Sequence, residues 1–279
     1  MRVLVTGAGG LLGSEVVDML ARRGHGALAY PRAALDITDA RAVGDAVGAA
    51  EPDAILHCAA YTAVDRAEQE PEVAFRVNAD GTASVARAAA SARARFVYVS
   101  TDYVFDGESG TPYVPDAQPN PLSVYARSKL EGERAARLAG DWMVARVSWV
   151  YGRGGRTFGS QVLARARAGE PVRAFTDMMS APTWVHDAAE TLVKLLERAA
   201  PAGIYHANSR GGTSWYGFAC EALARAGVSA VVEPTRVAEL NLPARRPRYS
   251  VMDVSGTEAV IGPVRGWRDG LEMALAEGL

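Results

Sequence analysis

The chain has 279 residues, enough for one large α/β domain or for a domain with a smaller lobe. Hydrophobic residues make up 49% of it and charged residues 22%, which excludes wholesale disorder. Thirty basic against 32 acidic side chains leave a net charge of −2, so neither nucleic acid nor an anionic membrane is an expected partner. Cys58 and Cys220 are too few for a disulfide framework, and their apolar neighbours predict buried thiols. The four histidines have no metal-ligand spacing, and no apolar run approaches the roughly 20 residues that span a bilayer. The N-terminus runs directly into a strand, so no signal peptide is expected and the cytoplasm is the expected compartment.

In chain order, residues 2–6 form a short apolar run that stops at Gly7 and predicts a buried strand. Leu11, Leu12, Val16, Val17, Met19 and Leu20 then recur at helical spacing as far as Gly24. Apolar stretches at 27–30, 53–59, 95–100 and 143–150 predict further strands, with alanine-rich helical segments at 39–50, 72–93 and 123–139. Strand alternating with helix predicts an α/β fold, a Rossmann-type doubly wound parallel sheet with helices on both faces. Past residue 150 the rhythm changes: Gly and aromatic residues gather at 151–159 and 203–217, and Pro and Arg at 243–248. One regular helix, about 186–199, is expected to return to the main sheet. The expected division is a cofactor-binding domain at 1–150 plus about 183–206. A smaller substrate-binding lobe is expected at about 151–182 and 207–279, with the C-terminal helix packing back on the core.

Gly7-Ala-Gly-Gly10-Leu11-Leu12-Gly13 follows the first strand and opens the first helix, the context a dinucleotide-binding loop needs. Glycines allow the tight turn and the backbone's approach to a pyrophosphate, whose charge the helix N-terminus favours. The second strand ends Tyr30-Pro31-Arg32, without the acid that holds a ribose 2′-hydroxyl. Arg32 meets a 2′-phosphate there or is a solvated loop residue. Asp36 of Asp36-Ile37-Thr38-Asp39 suits an adenine amino group, and Asp39 suits the N-cap of the next helix. Ala59-Ala60-Tyr61-Thr62 ends a strand with small residues, for a cofactor lying across the strand ends or for ordinary packing. His57 and Cys58 read as core. Thr101 closes another strand, and Tyr125 and Lys129, four apart on a helix, share a face. A nearby ammonium lowers the pKa of a phenol, which suits Tyr125 to acid catalysis near neutrality, with the Thr101 hydroxyl on the same carbonyl.

Together these residues resemble the extended short-chain dehydrogenase/reductases, and within them the dTDP-4-dehydrorhamnose reductase family. The resemblance also rests on Ala59–Glu68, Val77-Asn78-Ala79, Ser100-Thr-Asp-Tyr-Val-Phe-Asp-Gly107, Val147–Gly152, Ala181-Pro-Thr183, Gly203–His206 and Ala244-Arg-Arg-Pro-Arg-Tyr-Ser250. It implies a hydride transfer from NADPH, with NADH as a second donor, to C4 of a dTDP-4-keto-6-deoxy sugar. Tyr125 is then the acid, Lys129 its partner and a ligand of the nicotinamide ribose, and Thr101 the third member. Gly7, Gly10, Leu11, Leu12, Gly13, Arg32, Asp36, Ile37, Ala59, Ala60 and Tyr61 hold the cofactor. Thr62, Val64, Asp102, Tyr103, Trp149 and Arg246 meet the nucleotide sugar, with Arg246 on its pyrophosphate. A homodimer is compatible with the resemblance. Two departures stand out. Asp177-Met178-Met179-Ser180 lacks the family's Gln and Gly. Glu15 matches one carboxylate of a dimer-bridging magnesium site, but Val185-His186 offers no second acid, so no metal is expected. The alternatives are a nucleotide-sugar epimerase or dehydratase of the same fold, and an NADP-binding regulatory subunit without turnover.

Overall fold

The computed structural model describes residues 1–153 and 157–279. Gly154, Gly155 and Arg156, within the glycine-rich stretch 151–159, lie outside the described residues.

The first half builds β1 (Arg2–Thr6), α1 (Leu11–Arg22), β2 (Gly26–Tyr30), α2 (Ala40–Ala50), β3 (Ala54–His57), α3 (Val64–Ala67), α4 (Pro71–Phe75), α5 (Thr82–Ala92), β4 (Arg95–Thr101), α6 (Val124–Ala136) and β5 (Trp142–Val147). Then come β6 (Val150–Tyr151), α7 (Phe158–Arg167), β7 (Val172–Phe175), β8 (Met179–Ser180), β9 (Thr183–Trp184), α8 (Val185–Glu197) and β10 (Gly203–His206). The chain ends with β11 (Thr213–Ser214), α9 (Trp215–Arg225), β12 (Val232–Thr235), α10 (Ser255–Ile261) and α11 (Trp267–Ala276).

The main sheet is parallel throughout, in the order β10-β5-β4-β3-β1-β2. Strand order reverses on either side of β1, and the crevice outside the carboxyl ends of such strands is where open α/β sheets bind ligands. One face buries Val16 and Leu20 of α1 with Leu192, Val193 and Leu196 of α8. The other buries Val43 and Val47 of α2 with Val85, Ala86 and Ala89 of α5. Burial on both faces explains why β3 and β4 read as continuous apolar runs. Asp39 caps α2 through the backbone N–H groups of Arg41 and Ala42.

A second core joins Leu163 of α7, Phe218 of α9 and Trp267 and Leu271 of α11. The C-terminal helix therefore packs here and not on the main core. The segment that returns to the main core is α10, whose Ile261 packs among the α8 side chains.

Two irregularities depart from the sequence reading. The helix expected over 72–93 is interrupted by a π-helical turn at Arg76–Gly81. The strand expected to run through 143–150 stops at Val147, because Trp149 takes φ +41°, a left-handed conformation unusual for a bulky residue. Both sit beside the site described next, where such strain and bulges concentrate. Among the described residues no helix is long and apolar enough to cross a membrane.

Candidate active site

A cleft of about 1260 Å³ runs along the carboxyl ends of β1, β2, β3, β4 and β5. That exceeds the roughly 300–1,000 Å³ of an ordinary small-molecule site, leaving room for more than one ligand. The residues that line it include Gly7, Gly10, Leu11, Leu12, Gly13, Arg32, Asp36, Ile37, Ala59, Ala60, Tyr61, Thr62, Thr101, Tyr125, Lys129 and Trp149.

The glycine loop has a physical reason for each of its ends. Gly7 takes φ +67°, and a Cβ on it would lie 2.6 Å from the backbone nitrogen of Ala59. A Cβ on Gly13 would lie 2.2 Å from the Gly7 carbonyl oxygen. Gly10 at the N-cap of α1 offers no side-chain cap, so the first N–H groups of this 12-residue helix are left for a ligand. This cradle fits a dinucleotide pyrophosphate. At the far end Arg32 is exposed, and Asp36 accepts from the backbone N–H and hydroxyl of Thr38, which holds its carboxyl below the usual range. Arg76, which the sequence reading did not single out, lines the same end.

Tyr125 stands in the first turn of α6. Ser123 caps that turn by accepting from the backbone N–H of Ala126, and the Val124 N–H donates to Glu68 at 2.8 Å. The Thr101 hydroxyl is close enough to the Tyr125 phenol to act on its pKa. Lys129 donates to the Val99 carbonyl at 2.6 Å, with its ammonium 4.1 Å from the centre of the Tyr98 ring. Burial pushes the Lys129 pKa down to about 7. It pushes the Tyr125 phenol up to about 12, against the lowering effect of Thr101. The expectation that Lys129 brings the phenol toward neutrality is thus corrected for the protein alone, because desolvation outweighs any ammonium effect. Tyr125 remains a proton donor at physiological pH.

Four residues expected on the nucleotide sugar do not line the cleft. Val64 packs with Val124 and Tyr125 in a small apolar cluster. Tyr103 is set edge-on to Tyr125, their ring centroids 6.1 Å apart. Asp102 turns its carboxyl to three hydroxyls. Arg246 is held in an ion pair by Asp65 at 2.6 Å, with its remaining reach toward Tyr103. Trp149 does line the cleft, its ring stacked on Trp215 with centroids 4.6 Å apart. His57 is core, held by Thr6 at 2.7 Å, and burial lowers its pKa to about 3. Cys58 packs against the main core and also lines the cleft, and Cys220 packs against the second core; both thiols are half-buried rather than fully buried.

Asn78 was legible only as part of a resemblance. It lies in the π-helical turn, accepts from the Tyr61 N–H at 2.8 Å, and donates to the Tyr61 carbonyl and to Ser128. It thereby ties the loop after β3 to the helix that carries Tyr125 and Lys129.

A glycine cradle at a parallel-sheet crevice, with Thr, Tyr and Lys converging beside it, defines a dinucleotide-binding protein of the extended short-chain dehydrogenase/reductase class. The model of the family described as RmlD substrate binding domain matches residues 1–279. A dTDP-4-dehydrorhamnose reductase of Streptomyces griseus is 42% identical over 278 residues, covering 97% of this chain and 91% of that protein. A crystal structure of a Clostridium acetobutylicum dTDP-4-dehydrorhamnose reductase superimposes with a TM-score of 0.95 at 32% identity, covering 99% of each chain. The Bacillus anthracis dTDP-4-dehydrorhamnose reductase in complex with NADP also gives 0.95, at 33% identity and 99% of each chain. The chain belongs to the dTDP-4-dehydrorhamnose reductase family.

Proposed function

We propose that the protein reduces the 4-keto group of a dTDP-4-keto-6-deoxy sugar with NADPH, converting dTDP-4-dehydrorhamnose to dTDP-L-rhamnose. The observation that carries this reading is the meeting of Tyr125, Thr101 and Lys129 in one cleft with the glycine cradle, in a chain whose relatives bear the reductase name. The Bacillus anthracis relative is described with NADP, which supports the choice of cofactor.

When bound, the reduced nicotinamide supplies a hydride to C4. Tyr125 donates its proton to the oxygen as charge develops there, and its raised pKa keeps that proton in place beforehand. Thr101 adds a hydrogen bond to the same oxygen. Lys129 supplies positive charge beside the nicotinamide ribose and Tyr125. The glycine loop and the start of α1 hold the pyrophosphate, Arg32 meets the 2′-phosphate, and Trp149 walls the sugar. Residues 1–150 with about 183–206 form the cofactor side in this reading, and about 151–182 with 207–279 the lobe that excludes water. The cytoplasm, as a source of reduced dinucleotide, suits it, and a homodimer is compatible with it.

Incubation with NADPH and dTDP-4-keto-6-deoxy sugars, followed by NMR of the product, tests the reading. One equivalent of NADPH consumed per new C4 carbinol supports it, and an epimerised ketosugar without NADPH consumption contradicts it.

A further inference from the structure

The carboxyl group of Asp102 lies behind the catalytic hydroxyls, buried against three side chains. Asp102 is 3% exposed. Its Oδ2 accepts from Ser148 at 2.9 Å and from Ser250 at 2.5 Å. Its Oδ1 has one side-chain partner, the Thr101 hydroxyl, at 3.2 Å. Among the described residues no charged side chain pairs with this carboxyl. The titratable and charged groups around it are Tyr103 on its own turn, Tyr125 on α6, Arg246 beyond Tyr103 on the 244–250 segment, and Lys129 in the cleft.

A proton on this carboxyl has one place to sit. Two donors already occupy Oδ2, so the proton belongs on Oδ1, facing Thr101. Thr101 Oγ has one proton and two lone pairs. One lone pair takes the Tyr103 N–H at 3.2 Å. When Oδ1–H fills the other, the Thr101 proton is left to point away from Asp102, toward the Tyr125 phenol and the substrate oxygen beside it. When Asp102 is ionised, it draws that proton away from the cleft. Burial favours the neutral form, raising the Asp102 pKa to about 6 against the three hydroxyls and the backbone N–H of Asp102 itself. Phosphate-bearing ligands in the cleft favour it further.

We propose that Asp102 is a positioning residue that works as a neutral acid: its Oδ1–H donates to Thr101 and turns the Thr101 proton toward the substrate oxygen. The proposal rests on the reductase reading above. It gives Ser250, the last residue of the Ala244–Ser250 run, a function, since Ser250 with Ser148 reserves Oδ2. Asp102 keeps its proton through turnover, and the proton that ends on the product comes from Tyr125.

The test is kcat at saturating NADPH and ketosugar from pH 6 to 8 for wild type, D102N, S250A, T101V and D102N/T101V. In Asp102→Asn the amide oxygen faces the two serines and the amide NH₂ faces Thr101, which fixes the arrangement of the neutral acid at every pH. Wild-type kcat is expected to fall as pH rises. D102N is expected to keep only the share of the fall that belongs to Lys129 and to exceed wild type at pH 8 by about two- to tenfold, the range one hydrogen bond supplies. Ser250→Ala removes a donor from the carboxylate and moves the wild-type fall to higher pH. Lys129 titrates in the same range, and the Thr101→Val background carries its share alone, so Asp and Asn at 102 give equal rates there at each pH. A D102N profile that keeps the wild-type fall, or an equal loss from D102N with and without Thr101, would overturn the assignment. Failure of wild type to reduce any ketosugar would overturn the reductase reading along with it. A normal wild-type rate with either contrary result overturns the assignment alone.

Discussion

Arg246 donates to both carboxylate oxygens of Asp65, at 3.0 and 2.6 Å, across 181 residues of sequence. Asp65 also accepts from the Ala244 N–H at 3.2 Å, so one carboxylate holds two points of the Ala244–Ser250 segment against α3. Arg246 also reaches Tyr103, which is set edge-on to Tyr125. Arg246→Ala and Asp65→Ala are therefore expected to raise KM by similar factors, and the double variant by no more than either alone. The pair is partly exposed, so about 0.5–1 kcal/mol, or roughly two- to fivefold, is the expected scale. Additive losses in steady-state kinetics would show that Arg246 acts on the pyrophosphate independently of Asp65.

Tyr125→Phe removes the hydroxyl proposed to donate the proton and keeps the ring. Turnover is expected to fall by about 10²–10⁴ with cofactor affinity little changed, as read by kcat and by NADPH fluorescence titration.

Lys129 is a costly residue for the fold. Its folded pKa, about 7, lies below its ordinary value, so the folded state binds fewer protons than the unfolded chain between about pH 7 and 10. The burden on stability is greatest below pH 7 and disappears as pH rises through the unfolded value. Lys129→Met is expected to stabilise the protein at pH 7 by on the order of 1–4 kcal/mol while abolishing most turnover and weakening NADPH. Thermal unfolding at pH 7 and pH 10 checks this: the gain in Tm shrinks at the higher pH, and a loss of Tm at pH 7 contradicts it.

Glu197, at the end of α8, accepts from Arg23 at 2.6 Å and pairs with His25. The Arg23 hydrogen bonds lead in holding its carboxyl down to about 2. A depressed carboxyl stabilises the fold above its unfolded pKa, near 4.3, and that contribution is lost as pH falls toward 2. Glu197→Gln is expected to cost about 1–2 kcal/mol at pH 6, after allowance for partial exposure, and almost nothing at pH 2. Urea unfolding at the two pH values measures the difference.

Arg32→Ala is expected to weaken NADPH by up to about tenfold and leave NADH nearly unchanged, because an exposed arginine forms at best one modest charge-assisted contact. Arg76→Ala separates the arginines at this end of the cleft: equal losses for both cofactors place Arg76 against the adenosine, away from the 2′-phosphate. Isothermal titration with each dinucleotide reads both variants.

The parallel sheet was legible because strands buried on both faces leave long apolar runs, and the cradle because Gly7 and Gly13 leave no room for a Cβ. Thr101, Tyr125 and Lys129 were legible as a spaced motif. Less legible was what depends on contacts between distant segments. Nothing local to Arg246 announces Asp65, and nothing local to Asp102 announces Ser250. The turn at Arg76–Gly81 was hidden because its residues suit an ordinary helix. It exists where Asn78 bonds to Tyr61 and Ser128, partners that only the fold supplies. The Tyr125 pKa went the other way from expectation because spacing reveals the ammonium but not the burial.

The most direct measurement is the NADPH balance with dTDP-4-dehydrorhamnose as substrate. The account predicts that one equivalent of NADPH is oxidised for each dTDP-L-rhamnose formed, and that the rate falls by at least a hundredfold, on the order general acid catalysis supplies, in Tyr125→Phe. An unaltered rate in Tyr125→Phe, or conversion of the sugar nucleotide with no NADPH oxidised, would contradict it.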